Sequence, residues 1–190
     1  MTPPSPEKPY MGQGNVTPYP RSEIALRVVW SLVQATLFRW CPRPWHAPRL
    51  ALLRLFGAEI PDTRGISIYP TADIIFPWKL TLHAHVTIGP GVRLYNLARI
   101  TLRRGAKISQ HCHLCAGTHN HELWAMPLVT RPIEIGENAW LGTEVFVGPG
   151  VTVGELCVIG ARAVVVKDQP PAMICAGNPC RPLKARSTPS

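Results

Sequence analysis

From Ile68 onward the chain repeats every six residues, and few folds can accommodate that period. An aliphatic residue recurs without a gap at Ile135, Leu141, Val147, Val153, Ile159 and Val165. The next residue is glycine at 136, 142, 148, 154 and 160. Four after each aliphatic comes a small or β-branched residue: Ala139, Val145, Val151, Cys157, Ala163. The same register runs backwards through Leu114, Ile108, Leu102, Leu94, Ile88, Leu82, Ile74 and Ile68. A period of six is neither the 3.6 of a helix nor the two of a simple strand. It suits a triangular coil in which each side points one aliphatic inward and then turns through small residues. Such coils stack as parallel strands about 4.8 Å apart, so nearly five of them make a prism of roughly 24 Å. The expected fold is therefore all-β, a parallel β-helix spanning 58–171, with a cap and tail over 172–190.

The breaks in the repeat are as informative as the repeat. Spacing is six except after Ile74, Leu94 and Leu114, where it is eight, eight and twenty-one. All three follow the second side of a coil, so all three insertions stack at one corner. A corner that takes insertions in successive coils is where a functional loop grows. That loop covers 117–134 and opens as Gly117-Thr-His119-Asn-His-Glu122. His119 is expected directly after an inward Thr118. An uncharged imidazole there can take a proton from a hydroxyl.

Ahead of the repeat, residues 1–22 are polar and proline-rich and are expected to be disordered. Residues 23–57 read as helical. Ile24 to Trp40 is apolar except for a narrow stripe of Arg27, Ser31 and Gln34, and a second short helix covers about Pro48 to Phe56. The first run contains Arg27 and Arg39 and falls short of the roughly 20 apolar residues that span a bilayer. It either packs on the prism or makes a peripheral membrane contact with its arginines on phosphates.

The net charge of +9 points to an anionic partner: nucleic acid, an anionic membrane or a polyanionic small molecule. The six cysteines are scattered rather than set out as a disulfide framework. With no apolar leader at the start, the expected compartment is the reducing cytoplasm, at most peripheral to the inner face of the membrane.

Several short stretches together resemble the hexapeptide-repeat O-acetyltransferases, most tightly those of colanic-acid biosynthesis and the maltose, galactoside and nodulation group. They are Phe76-Pro-Trp78, Tyr95-Asn96-Leu97, Ile108-Ser-Gln110, Leu114 through His119, Trp140-Leu-Gly142, Gly148-Pro-Gly150, and Lys167-Asp168 with Ala176-Gly-Asn-Pro179. The resemblance implies that the parallel β-helix is left-handed, and it implies acetyl transfer from acetyl coenzyme A to a sugar hydroxyl, without metal, in surface-polysaccharide assembly. It implies His119 as the base, with Asn96 and Glu122 towards the acceptor. Trp140 would flank the pantetheine arm, and the backbone around Gly142 and Thr143 would meet the thioester oxygen. Ala161 and Lys167 would line the coenzyme A groove, and Arg181 would lie near the nucleotide phosphates. The acceptor would be a sugar or a lipid-linked saccharide, the assembly a homotrimer with each site between two protomers, and no nucleic acid would take part. Where relatives commonly carry threonine before the Lys-Asp pair, this chain has Val166.

Two other chemistries remain open. A sugar N-acyltransferase would look nearly the same from the sequence. A zinc-dependent γ-carbonic-anhydrase-like protein would draw three ligands from His83, His85, His111, His113, His119 and His121.

Overall fold

The computed structural model describes residues 19–42 and 44–187. The chain winds through about five coils of a parallel β-helix. Coil one holds β1 (Ser67–Ile68), β2 (Asp73–Ile74) and β3 (Leu80–Leu82). Coil two holds β4 (Thr87–Ile88), β5 (Arg93–Tyr95) and β6 (Ile100–Leu102). Coil three holds β7 (Lys107–Ile108) and β8 (His113–Cys115). It then sends out a hairpin of β9 (Gly117–His119) and β10 (Leu128–Thr130), and closes with β11 (Ile133–Ile135). Coil four holds β12 (Trp140–Leu141), β13 (Phe146–Val147) and β14 (Thr152–Val153). Coil five starts with β15 (Val158–Ile159) and β16 (Val164–Val165). The chain ends in β17 (Met173–Gly177) and β18 (Cys180–Ala185).

Corresponding strands stack into three faces. The first runs β1-β4-β7-β12-β15-β17-β18, the second β2-β5-β8-β13-β16 and the third β3-β6-β11-β14. Register pairs like with like: Ile68 with Ile88, Ile74 with Leu94, Leu141 with Ile159, Val147 with Val165. All fourteen aliphatics of the six-residue series are at most 1% exposed. Burying a side chain of this size stabilises by about 1.5–3 kcal/mol, so the column of them is the core.

The corners differ. Between the first and second faces, and again between the third and first, the turn is short and passes through the left-handed region. The residues there include His111 (φ 57), Glu144 (φ 58) and Arg162 (φ 59) at one corner, and Asn138 (φ 53), Leu156 (φ 57) and Ala172 (φ 52) at the other. Between the second and third faces the turn is long in coils one to three, as the spacing requires. In coil two it is tied to the coil below through Asn96. That side chain is fully buried, accepts from the Phe76 N–H at 2.9 Å and donates to the Phe76 carbonyl at 2.6 Å.

The N-terminal segment closes the lower end. Helix α1 (Arg21–Val33) starts two residues earlier than the repeat-free sequence suggests and leads into a π-helical turn, Gln34–Phe38. The expected tail therefore ends sooner, and its residues 1–18 lie outside the described residues. The wider π-turn brings Phe38 back to the face of Trp30, and the two rings meet edge-on at 5.8 Å. β2 has an unpaired lower edge, a liability in any sheet. Gln34 Oε1 takes the Ile74 N–H at 2.9 Å, and Trp30 Nε1 donates to the Ile74 carbonyl at 2.5 Å. Helix α2 (His46–Leu55) does the same for β1: His46 Nδ1 accepts from the Ile68 N–H at 3.3 Å. The buried Arg49 guanidinium donates to the carbonyls of Cys41 and Pro42, fixing the turn between the helices. Glu59 bridges to Thr81 on the third face.

Of the polar stripe, Arg27 and Gln34 reach the prism, while Ser31 is exposed and donates to the Arg27 carbonyl at 2.8 Å. Gln34 reaches Asp73, and the Arg27 guanidinium lies 5.4 Å from the Phe76 ring centroid. Among the described residues, no helix is long and apolar enough to cross a membrane.

At the upper end β17 stacks on β15 with Cys175 in the inward position, so the prism runs one strand past residue 171. The spacing of ten from Val165 hides this from a six-residue count. β18 then folds back antiparallel on β17.

Candidate active site

The open corner carries the arm. Gly117 is where it leaves the prism, because a Cβ there would sit 2.5 Å from Leu97 Cδ1. Thr118 is exposed rather than inward: the buried positions are Ala116 and Gly117, after which β9 turns outward to pair with β10. The arm is thus Gly117–Thr130, and Ile133 and Glu134, expected in the loop, already belong to β11.

His119 is exposed on β9, opposite Leu128. Its Nδ1 lies 2.6 Å from the Met126 carbonyl oxygen. A carbonyl only accepts, so in the neutral ring Nδ1 carries the proton and Nε2 keeps its lone pair. Met126 presents that carbonyl from the left-handed region, at φ 42. The tip is bonded to itself through Asn120 N–H to Pro127 O at 3.0 Å, Met126 N–H to Leu123 O at 2.9 Å and Glu122 N–H to Asn120 Oδ1 at 3.1 Å. A groove of about 320 Å³ runs beside the ring, lined by His119, Asn120, Glu122, Val129, Arg131 and Pro149 among others. Pro149 comes from the same corner one coil up. A base with a free lone pair, a carboxylate and a guanidinium therefore share one opening. Lys167 is exposed at this corner one further coil up.

A second group lies on the first face and the tight corner beside it. The Trp140 indole is 47% exposed and donates from Nε1 to Ser109 Oγ at 2.9 Å. It lines a groove of about 620 Å³ with Gly105, Lys107, Asn138, Leu156 and Arg186. Gly142 has no space for a side chain: a Cβ would meet Ala161 N at 2.8 Å and Ile159 O at 2.9 Å. Its N–H already donates to Ile159 O at 2.8 Å, which removes it as a donor to a substrate oxygen. Thr143 Oγ1 donates to Gln110 O at 3.2 Å, and the exposed Ala161 follows β15 one coil above Thr143.

One chain therefore unites His119 and Glu122 in a single groove, with Lys167 above it. It sets Trp140, Gly142, Thr143 and Ala161 on another flank. Arg181 stands apart on β18, opposite Ala176. Asn96 is walled in beneath the open corner and joins neither group. Lys107, Arg131, Pro149 and Arg186 were not foreseen as site residues. Lys107 pairs in register with Trp140, so reading the columns could have found it, whereas Arg131 and Arg186 lie outside the repeat.

The buried thiols are poor nucleophiles. Burial pushes Cys112 and Cys180 up to about 11 and Cys157 up to about 12, so all three stay protonated near neutrality. Burial also lowers the His113 ring, which stands between Tyr95 and Phe146 and disfavours its charged form there. Among the described residues no three histidine, cysteine, aspartate or glutamate side chains converge as metal ligands.

Comparison with known proteins agrees with this geometry. The bacterial transferase hexapeptide family, defined by six repeats, matches residues 132–167. A protein of Escherichia coli K12 provisionally named colanic acid biosynthesis acetyltransferase WcaF is 44% identical over 158 residues, 83% of this chain and 86% of the relative. Galactoside O-acetyltransferase of the same organism is 51% identical over 129 residues, 68% of this chain and 55% of the relative. Among solved structures, a hexapeptide-repeat acetyltransferase of Vibrio cholerae complexed with acetyl coenzyme A superposes with a TM-score of 0.77 at 25% identity. The match covers 87% of this chain and 89% of that one. The prism is the left-handed parallel β-helix that the resemblance implies.

Proposed function

This chain belongs to the hexapeptide-repeat acetyltransferases, and from that premise we propose that it moves an acetyl group from acetyl coenzyme A directly onto a sugar hydroxyl, with His119 as general base. The observation that carries this is the Met126 carbonyl on His119 Nδ1, which leaves Nε2 as the proton acceptor. Acetyl coenzyme A supplies an activated acyl group as a thioester. His119 Nε2 takes the proton as the sugar oxygen bonds to the acetyl carbon, and the carbon–sulfur bond breaks. The imidazolium then returns that proton to the departing sulfur, so the ring ends as it began. Glu122 and Arg131 line the groove where an acceptor would sit. Burial keeps the Cys112, Cys157 and Cys180 thiols protonated, and in this reading the acyl group passes directly to the hydroxyl.

The donor end is the exposed Trp140 indole, Thr143, Ala161 and Lys167, with Arg181 towards the phosphates. Gly142 contributes by its lack of a side chain, and the carbonyl oxygen must find its donor elsewhere than the Gly142 N–H. Because Trp140 and His119 occupy different flanks of one prism, a complete site requires two copies, and the reading includes a homotrimer with shared sites. A role in surface-polysaccharide assembly follows the name of the 44% identical relative. Peripheral membrane contact through residues 23–57 is a separate proposal, argued below.

The test is transfer from labelled acetyl coenzyme A across free sugars, nucleotide sugars and lipid-linked saccharides. Label in an ester on one of them supports the reading. Label only in an amide on an amino sugar replaces it with N-acyl transfer, and label in none overturns it. Shared sites predict that mixed oligomers of His119→Ala and Trp140→Ala chains are more active than either parent. A monomer in sedimentation at micromolar concentration removes that part.

A further inference from the structure

The helices that close the lower end of the prism are apolar on both sides: Trp30, Phe38, Leu50 and Leu53 are buried beneath them, and a second apolar set faces outward. In α1 and the π-turn, Glu23, Arg27, Trp30 and Gln34 reach the prism, and Val33 and Phe38 pack against the core. Val28, Val29, Leu32 and Leu37 are at least half exposed, and Trp40 is 84% exposed. Trp45 and Leu55, flanking α2, are also open. A surface helix of a water-soluble domain keeps its outer side polar. Its charge is one-sided as well. Residues 21–57 contain six arginines and one acidic residue. The acid, Glu23, is turned inward, 3.0 Å from Lys79 Nζ and hydrogen-bonded to the Trp78 indole. Arg21 and Arg39 are exposed at the two ends of the helical run.

We propose that this face docks on an anionic lipid bilayer, with the helix axis in the plane of the interface. The apolar side chains would enter the acyl boundary, Trp40 and Trp45 would sit at headgroup depth, and Arg21 and Arg39 would meet lipid phosphates. The charge pattern favours lipid over a second copy of the same face, because two such faces would set arginine against arginine with no carboxylate between them. The proposal goes beyond acyl transfer and does not depend on it, since docking is measured without substrate.

The test is flotation of the full-length protein with vesicles of phosphatidylcholine alone and of phosphatidylcholine mixed with phosphatidylglycerol. The wild type should float with the mixed vesicles and much less with the neutral ones. Arg21→Gln with Arg39→Gln should lower partitioning onto mixed vesicles by about 30-fold, the worth of two cations at an anionic surface. Leu32→Glu with Trp40→Ala should lower it at least as far while leaving the thermal melt unchanged, because both side chains already face solvent. Failure of the wild type to bind mixed vesicles overturns the proposal, as does equal binding by the Leu32→Glu, Trp40→Ala chain. A changed oligomeric state of that variant in lipid-free sedimentation also overturns it, by showing that the face joins copies of the chain.

Discussion

The tight corners and the open corner of the prism are built from the same repeat, yet they divide the work of the protein between them. At a tight corner, successive residues such as Glu144 and Arg162 stack in the left-handed region, and the space beside them closes to backbone contact at Gly142. At the open corner the coils are tied by Asn96 on Phe76, by Lys79 Nζ donating to the Leu97 carbonyl and by the Ala116 N–H donating to the Tyr95 carbonyl, and beyond Gly117 the arm is largely bonded to itself. The first arrangement leaves little freedom to change and sets the fold. The second leaves the backbone free to lengthen, and it carries the histidine. Substitutions should therefore separate: activity without stability on the arm, stability without chemistry in the inward column.

The sharpest break in this division would come from His119. We expect His119→Ala to lower turnover by at least ~10²-fold, the ordinary worth of a general base, with an unchanged denaturation midpoint. A variant that unfolds instead would show that the arm supports the prism. Next in size is Leu141→Ala, in the inward column between tight corners. It should destabilise by about 3 kcal/mol, as large-to-small core changes do, with kcat per folded molecule preserved. Chemical denaturation and an activity assay on the same sample decide it.

Asn96→Ala tests the seam between the two regions. It strands the buried Phe76 N–H and carbonyl, which costs roughly 2 kcal/mol, and should leave KM for the acceptor alone. A raised KM at unchanged stability would return Asn96 to the acceptor site that the resemblance implies. The smallest effect is Ala172→Gly, at φ 52. Relief of a left-handed alanine outweighs the added chain entropy, for a gain of about 0.5 kcal/mol. A loss would mean that the tight corner is held by side-chain packing rather than by backbone geometry.

What could be read from the sequence followows the same line. The inward column was legible because each coil repeats one local environment, so six-residue spacing reports burial directly. The stacking of the three insertions was legible for the same reason. Thr118 was misplaced because the count runs on past the point where Gly117 lets the chain leave the coil. Cys175 was missed because the cap strand re-enters the column out of step. In α1 the apolar pattern showed how much surface could be buried but not which side meets the prism. That choice rests on Trp30 and Gln34 finding the unpaired edge of β2, a contact forty or more residues away. The His119 tautomer depends on a carbonyl seven residues on, across the arm, and no spacing rule reports it.

The closed ends have a consequence for how such a molecule can change in size. A stack of coils presents at each end the same hydrogen-bonding template on which it was built, and an unblocked template recruits further strands, as fibrils do. Gln34, Trp30 and His46 occupy that template below, and β18 turns the first face back on itself above. The helical segment is thus a chain terminator as well as a surface. Growth is confined to the interior, in whole coils: adding or losing three six-residue sides would leave both terminators and the arm unaltered. An insertion of any other length must be pushed out at a corner, as the arm has been.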